Sequence, residues 1–151
     1  MAVSVGDVAP QFVLTNQHGE DFDLSEYRGK PVVLVFYPLS FSGTCTGELC
    51  DLRDNLNLFN DAKVELVGIS VDSKFTQAAF ADSQGYDFQL LADFWPHGEV
   101  TKTYGAFIEE RGHGTRATFV INADGLVVAK FTTSPGEARD IASYRSAIEL
   151  L

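Results

Sequence analysis

The stretch Val32-Val33-Leu34-Val35-Phe36-Tyr37-Pro38-Leu39-Ser40-Phe41-Ser42-Gly43-Thr44-Cys45 decides the fold. Its first six residues are continuously apolar and rich in valine. That is the pattern of a strand buried on both faces, as in the middle of a covered sheet. Pro38 ends the strand. Beyond it Cys45, Leu49, Leu52, Leu56 and Phe59 recur at steps of four, three, four and three. At about 100° per residue they fall on one narrow stripe, which predicts one amphipathic helix from about Gly43 to Phe59. Cys45 lies on the buried side of that helix. Cys50 lies about 140° away, near the polar face with Asp51 and Asp54.

Working outward, residues 11–14 and 20–24 are short strand candidates around a His18-Gly19 turn. Asp23 or Ser25 is placed to cap a helical turn through Tyr27. Val64 to Val71 is a second buried strand. Asp72 or Ser73 caps a helix reaching Gln84, which Gly85 stops. Leu90-Leu91 is a short strand, and Glu99 to Tyr104 a short helix. Arg116–Ile121 and Leu126–Phe131 form a hairpin around Asp124-Gly125. In its first strand Arg116, Thr118 and Val120 share one face, and Ala117, Phe119 and Ile121 the other. A last amphipathic helix is predicted over 137–151. This alternation predicts an α/β, thioredoxin-like fold: a mixed central sheet flanked by helices, with an N-terminal β-hairpin. Residues 1–151 read as a single domain.

The chain is 45% hydrophobic, enough for a core, and carries a formal net charge of −10. An acidic surface repels nucleic acid and anionic lipid, so neither is expected as a partner. No apolar run approaches the roughly 18 residues of a membrane span. The first residues have neither a basic start nor a long apolar core, so no signal peptide is expected and a cytoplasmic location is. There a pair of cysteines points to catalysis or metal binding before a structural bridge. Two cysteines and the scattered His18, His97 and His113 make no zinc spacing, so no metal is expected. His97 and His113 read as solvated loop residues.

Cys45 sits in the first turn of a helix that follows a buried strand. Free backbone N–H groups and the positive helix end favour negative charge there. With Ser42 as N-cap, Cys45 is the third helical residue, whose N–H the Ser42 oxygen can bind. A thiolate also needs a cation, and Arg116 opens a predicted core strand among apolar or small neighbours. Its guanidinium stays charged and can donate to sulfur and oxygen alike.

Pro38-x-x-x-Ser42-x-x-Cys45 at the end of a buried strand resembles the active-site motif of the peroxiredoxins. The family usually has Thr where this chain has Ser42; the hydroxyl is kept. Arg116, opening Thr115-Arg116-Ala117-Thr118-Phe119, matches the family's active-site arginine in position and context. Glu48 matches a polar position behind the thiol. Asp93-Phe94-Trp95-Pro96-His97-Gly98, Gly47-Glu48-Leu49 and Pro135-Gly136-Glu137 resemble the one-cysteine alkyl hydroperoxidase E subfamily. The resemblance implies a thiol-dependent peroxidase acting on hydrogen peroxide and organic hydroperoxides through a sulfenic acid at Cys45. It also implies Pro38 as shield and no cofactor. A thioredoxin, a mycoredoxin or a low-molecular-weight thiol would be the reductant, and the assembly an A-type homodimer. Cys50 departs from that subfamily. A second cysteine five residues on resembles the Q-type peroxiredoxins, in which it resolves the sulfenic acid; Cys50 is either that resolving thiol or a spare one.

Simpler readings stand beside these. Cys45 alone would be a small core hydrophobe, and Arg116 alone a salt-bridge residue. Tyr37 and Phe41 either wall the pocket or pack. Phe94 and Trp95 pack in the core or at a dimer interface. Arg139 either lies near the site or belongs to a surface pair. A thiol–disulfide exchange enzyme is the rival activity, disfavoured by the missing Cys-x-x-Cys. A redox-sensing thioredoxin-fold module is the non-enzymatic rival.

Overall fold

The computed structural model describes residues 3–151. Strands β1 (Val13–Asn16) and β2 (Asp21–Asp23) form the N-terminal hairpin. The buried Asn16 side chain organises its turn, accepting from the N–H groups of His18 (2.9 Å) and Glu20 (3.0 Å). The first strand therefore runs two residues later than the predicted 11–14. Asp23 then caps a 3₁₀ turn over Leu24–Tyr27 by accepting from Ser25 N. Next come β3 (Val32–Phe36), α1 (Gly43–Asp54), α2 (Leu56–Asp61), β4 (Glu65–Ser70) and α3 (Lys74–Gln84). After these follow β5 (Gln89–Ala92), α4 (Glu99–Thr103) and a small hairpin of β6 (Phe107–Ile108) and β7 (His113–Gly114) that the sequence pattern did not announce. Strands β8 (Arg116–Ile121) and β9 (Val127–Thr133) and helix α5 (Ile141–Ile148) complete the chain.

Seven strands form one sheet in the order β2-β1-β5-β4-β3-β8-β9. β3, β4 and β5 run parallel, while β8 and β1 join them antiparallel. The sheet is therefore mixed, and β3 lies between β4 and β8. All five residues of β3 are buried, because both faces of the sheet are covered. Val32, Leu34 and Phe36 pack with Phe119, Ile121 and Tyr104 on one face. Val33 and Val35 pack on the other with Cys45, Leu49, Leu52, Phe59 and Phe80. Each fully buried Leu or Phe contributes roughly 1.5–3 kcal/mol by leaving water. This stripe fixes the rotation of α1 about its axis, and with it the direction in which residue 45 points. On β8, Phe119 and Ile121 belong to the first face, so Arg116, Thr118 and Val120 face α1.

Two helix boundaries differ from the sequence pattern. The single helix predicted over 43–59 is broken at Asn55 (φ −116°, ψ 23°). The Asn55 amide donates to Asp51 O (2.8 Å), competing with the backbone as asparagine does. The apolar stripe survives because α2 restarts in phase, burying Phe59. The final helix begins at Ile141 behind an Asp140 cap, not at Glu137. Residues 134–140 instead form an irregular strap, held down by the buried Arg139.

Candidate active site

The site lies where β3 gives way to α1. Pro38 is buried at the end of the strand. The connecting loop is tied beneath by polar contacts. Ser40 N donates to Asp72 Oδ2 (2.8 Å), and Gln77 Oε1 accepts from the hydroxyls of Ser40 (2.6 Å) and Tyr37 (3.0 Å). Tyr37 is thus fully buried against α3, and burial pushes its phenol well above the ordinary range. It packs and does not wall a pocket. Phe41 takes a left-handed backbone (φ 70°), a conformation that costs a bulky residue energy. Its ring is half-exposed and sits 4.9 Å from that of Phe80.

Ser42 is the N-cap of α1, and its Oγ accepts from Cys45 N (3.2 Å). Cys45 is therefore the third residue of the helix, 0% exposed. Arg116, also buried, reaches it from β8: Nη2 lies 3.0 Å from Cys45 Sγ. Arg116 Nε donates to Pro135 O on the strap (2.8 Å), and Nη1 to Glu48 Oε1 (3.0 Å). Glu48, one turn beyond Cys45 on α1, is 1% exposed. The strap returns Arg139 to the same carboxylate. Its backbone N (2.6 Å) and Nε (2.9 Å) donate to Oε2, and Nη2 donates to Oε1 (2.5 Å). Arg139 Nη1 also donates to Thr118 Oγ1 (3.1 Å), which hydrogen-bonds Tyr144 Oη (3.1 Å).

Burial opposes the Glu48 charge, but the Arg139 hydrogen bonds and charge, with Arg116 behind them, hold its carboxyl below the usual carboxylate value. Burial likewise lifts the Tyr144 phenol, to about 12. Burial works against the Arg139 cation too, but neighbouring Tyr144 and the hydrogen-bonded Glu48 carboxylate outweigh it and hold the guanidinium protonated. The cluster thus holds two guanidinium ions and one carboxylate out of water. Such a set is tolerated only when its charges are paired and hydrogen-bonded. Arg139 belongs to no surface pair. Its signal in the sequence was the match around Pro135-Gly136-Glu137; nothing in charge or periodicity marked it as buried.

Cys50 keeps its helix phase, turned away from Cys45, but it does not face open solvent. It is half-buried against the core. Its Sγ donates to Gln84 Oε1 (3.5 Å) and lies 3.4 Å from Tyr86 Oη. The polar face of α1 there is covered by the end of α3 and the residues that follow. Both cysteines are free thiols. Trp95 is 82% exposed and Phe94 53%, so neither is a core residue. His97 is exposed and contacts Gly112 O (2.6 Å). His113 is half-buried in β7, with Nδ1 2.8 Å from Gly114 O. The structure brings together Cys45, Ser42, Glu48 and Arg116, and adds Arg139; Pro38 is buried at the strand end that leads into them.

Comparison with known proteins places these features. A model of the AhpC/TSA family matches residues 5–130. Alkyl hydroperoxide reductase E of Mycobacterium tuberculosis is 41% identical over 150 residues, covering 99% of this chain and 98% of that one. Peroxiredoxin Bcp of Escherichia coli is 34% identical over 131 residues, 83% of each chain. Among solved structures, peroxidoxin BcpB from Mycobacterium tuberculosis has a TM-score of 0.83 at 31% identity, covering 98% of this chain and 96% of that one. AhpC of Enterococcus faecalis has a TM-score of 0.90 at 23% identity, covering 99% of this chain and 92% of that one, a likeness of fold alone.

Proposed function

Since this chain belongs to the AhpC/TSA family and is a thiol-dependent peroxidase, we propose that Cys45 is its peroxidatic thiol and Arg116 the cation that activates it. The observation that carries this is the 3.0 Å contact between Arg116 Nη2 and Cys45 Sγ, at the capped start of a helix. Charge balance supports it as well. Two buried guanidinium ions and one carboxylate leave one positive charge over, and the Cys45 sulfur is the neighbouring group able to offset it.

In the first step the Cys45 thiolate attacks one oxygen of a hydroperoxide. An S–O bond forms as the O–O bond breaks. Sulfur loses two electrons, and the leaving alkoxide or hydroxide takes a proton from solvent. The charge that builds on the leaving oxygen is met by Arg116, the Ser42 hydroxyl and the free N–H groups of the first turn of α1. Pro38 screens the sulfur from water. Glu48 fixes the Arg116 guanidinium. Hydrogen peroxide and organic hydroperoxides both suit a site whose contacts go to the peroxide oxygens.

In the second step the Cys50 thiolate attacks the oxidised Cys45 sulfur. An S–S bond forms and hydroxide leaves, taking a proton as water. On an intact helix residues five apart have Cα atoms about 8.6 Å apart, and a disulfide requires less than about 7 Å. The first turns of α1 therefore unwind. Gly43 and Gly47 ease this by about 1 kcal/mol each relative to alanine. An external thiol, whether a thioredoxin, a mycoredoxin or a small thiol, then returns both cysteines to the reduced state. The protein works in the cytoplasm, where such reductants are held reduced. It works as a homodimer, for which the exposed Trp95 and Phe94 are the candidate contact residues.

The test is rapid-mixing peroxide oxidation followed by mass spectrometry. The wild type is expected to react far faster than a free thiol and to gain one oxygen, or an internal disulfide, at Cys45. Fast peroxide reduction by Cys45→Ser would overturn the assignment.

A further inference from the structure

Tyr86 stands just past the left-handed Gly85 that ends α3. Its ring is buried, 5.1 Å from that of Phe88 and 5.2 Å edge-on from that of Phe80. The hydroxyl leaves this aromatic stack and reaches α1. It donates to Thr46 O (3.3 Å) and lies 3.4 Å from Cys50 Sγ. Next to it the Cys50 thiol donates to Gln84 Oε1 (3.5 Å), and Arg53 Nη1 donates to Gln84 O (2.6 Å). The segment 84–86 thus grips α1 at residues 46, 50 and 53.

One of those points has a particular meaning. In an α-helix the carbonyl of residue 46 accepts the N–H of residue 50. That bond must open for Cys50 to turn toward Cys45. The Tyr86 hydroxyl sits on this carbonyl and on the resolving sulfur together. We propose that Tyr86 is a positioning residue for resolution, a latch that keeps α1 wound and Cys50 turned away from Cys45 until the first step is complete. The proposal rests on Cys50 being the resolving thiol. Burial, and after it the contact with Cys50, push the Tyr86 phenol far above its ordinary range. The group therefore acts as a neutral donor and not as a base for Cys50.

The experiment is a single turnover with one equivalent of hydrogen peroxide, quenched by alkylation and read by mass spectrometry, on wild type, Tyr86→Phe and Cys50→Ser. Phenylalanine keeps the stacked ring and removes only the hydroxyl. Tyr86→Phe is expected to lose the Cys45 thiol at the wild-type rate. It should close the internal disulfide about 3–10-fold faster, the effect of one lost hydrogen bond. Under excess peroxide it should accumulate less Cys45 sulfinic acid, because resolution competes with further oxidation. A merely structural role would lower the melting temperature without moving this partition. Gln84→Leu, which removes the thiol's acceptor, is expected to act in the same direction and carries the test if Tyr86→Phe folds poorly.

An internal disulfide that closes in Tyr86→Phe no faster than in wild type would overturn the latch alone. No internal disulfide in either protein would overturn Cys50 as resolver, and the latch with it. A disulfide in Tyr86→Phe but not in wild type would establish a latch stronger than one hydrogen bond.

Discussion

Glu48→Gln tests the charge arrangement most directly. Glu48 accepts three hydrogen bonds from Arg139 and one from Arg116. Glutamine keeps one carbonyl acceptor, but it turns an NH₂ group toward a guanidinium and removes the carboxylate paired with both arginines. Breaking a buried ion pair on one side costs about 3–5 kcal/mol. At about 2–4 °C per kcal/mol for a chain of this size, the melting temperature should fall by about 6–20 °C. The pH profile gives a second readout. The folded Glu48 carboxyl titrates below its ordinary value of 4.5. Its contribution is therefore complete above about 4.5 and is lost as pH falls through the folded value. Wild type should show this acid loss, and Glu48→Gln should lack it. The peroxide oxidation rate at pH 7 should fall at least 10-fold, because Arg116 loses the partner that aims it at Cys45. The assays are calorimetry between pH 3 and 8 and rapid-mixing oxidation. A variant within about 1 kcal/mol of wild type, oxidising at the wild-type rate, would refute the reasoning.

Three further outcomes are expected. Arg116→Met should slow Cys45 oxidation by about 10²–10³-fold, the usual cost of one lost donor to a developing oxyanion, as measured by rapid mixing. Ser42→Ala should cost about 1 kcal/mol of stability through the lost cap, and Ser42→Thr almost none, as read by denaturant unfolding. Trp95→Glu, at a side chain 82% exposed, should shift the proposed dimer to monomer in sedimentation while leaving the melting temperature of the isolated subunit within a few degrees.

Much of this was legible because local chemistry and the final fold agreed. The apolar run ending at Pro38 reads as a central strand, and a serine three residues before Cys45 as the cap of a helix. The same stripe that buries Leu49 and Leu52 turns Cys45 inward, so β3 and the start of α1 were readable from the pattern. The alternation in β8 put Arg116 on the α1 face for the same reason. What was not legible depends on contacts distant in sequence. Asp51 and Asp54 are exposed as their face of the helix reads, but nothing in 43–59 tells that Gln84 and Tyr86 will cover Cys50 beside them. Residues 137–151 carry a helical pattern throughout, yet Arg139 is drawn out of it by a carboxylate 91 positions away. Asn55 was a readable signal that the apolar stripe masked: a side chain able to take a backbone carbonyl, sitting inside a long helix.

The strap over residues 134–140 also sets when the site comes into being. A chain is made from its N-terminus, and Cys45 emerges long before its counter-ions do. Arg116 follows it by 71 positions, and Arg139, the chief partner of Glu48, comes later still. Until β8 has paired with β3 and the strap has closed, a growing chain carries an ordinary cysteine. With Arg116 in its proposed role, activation of Cys45 waits on completed folding.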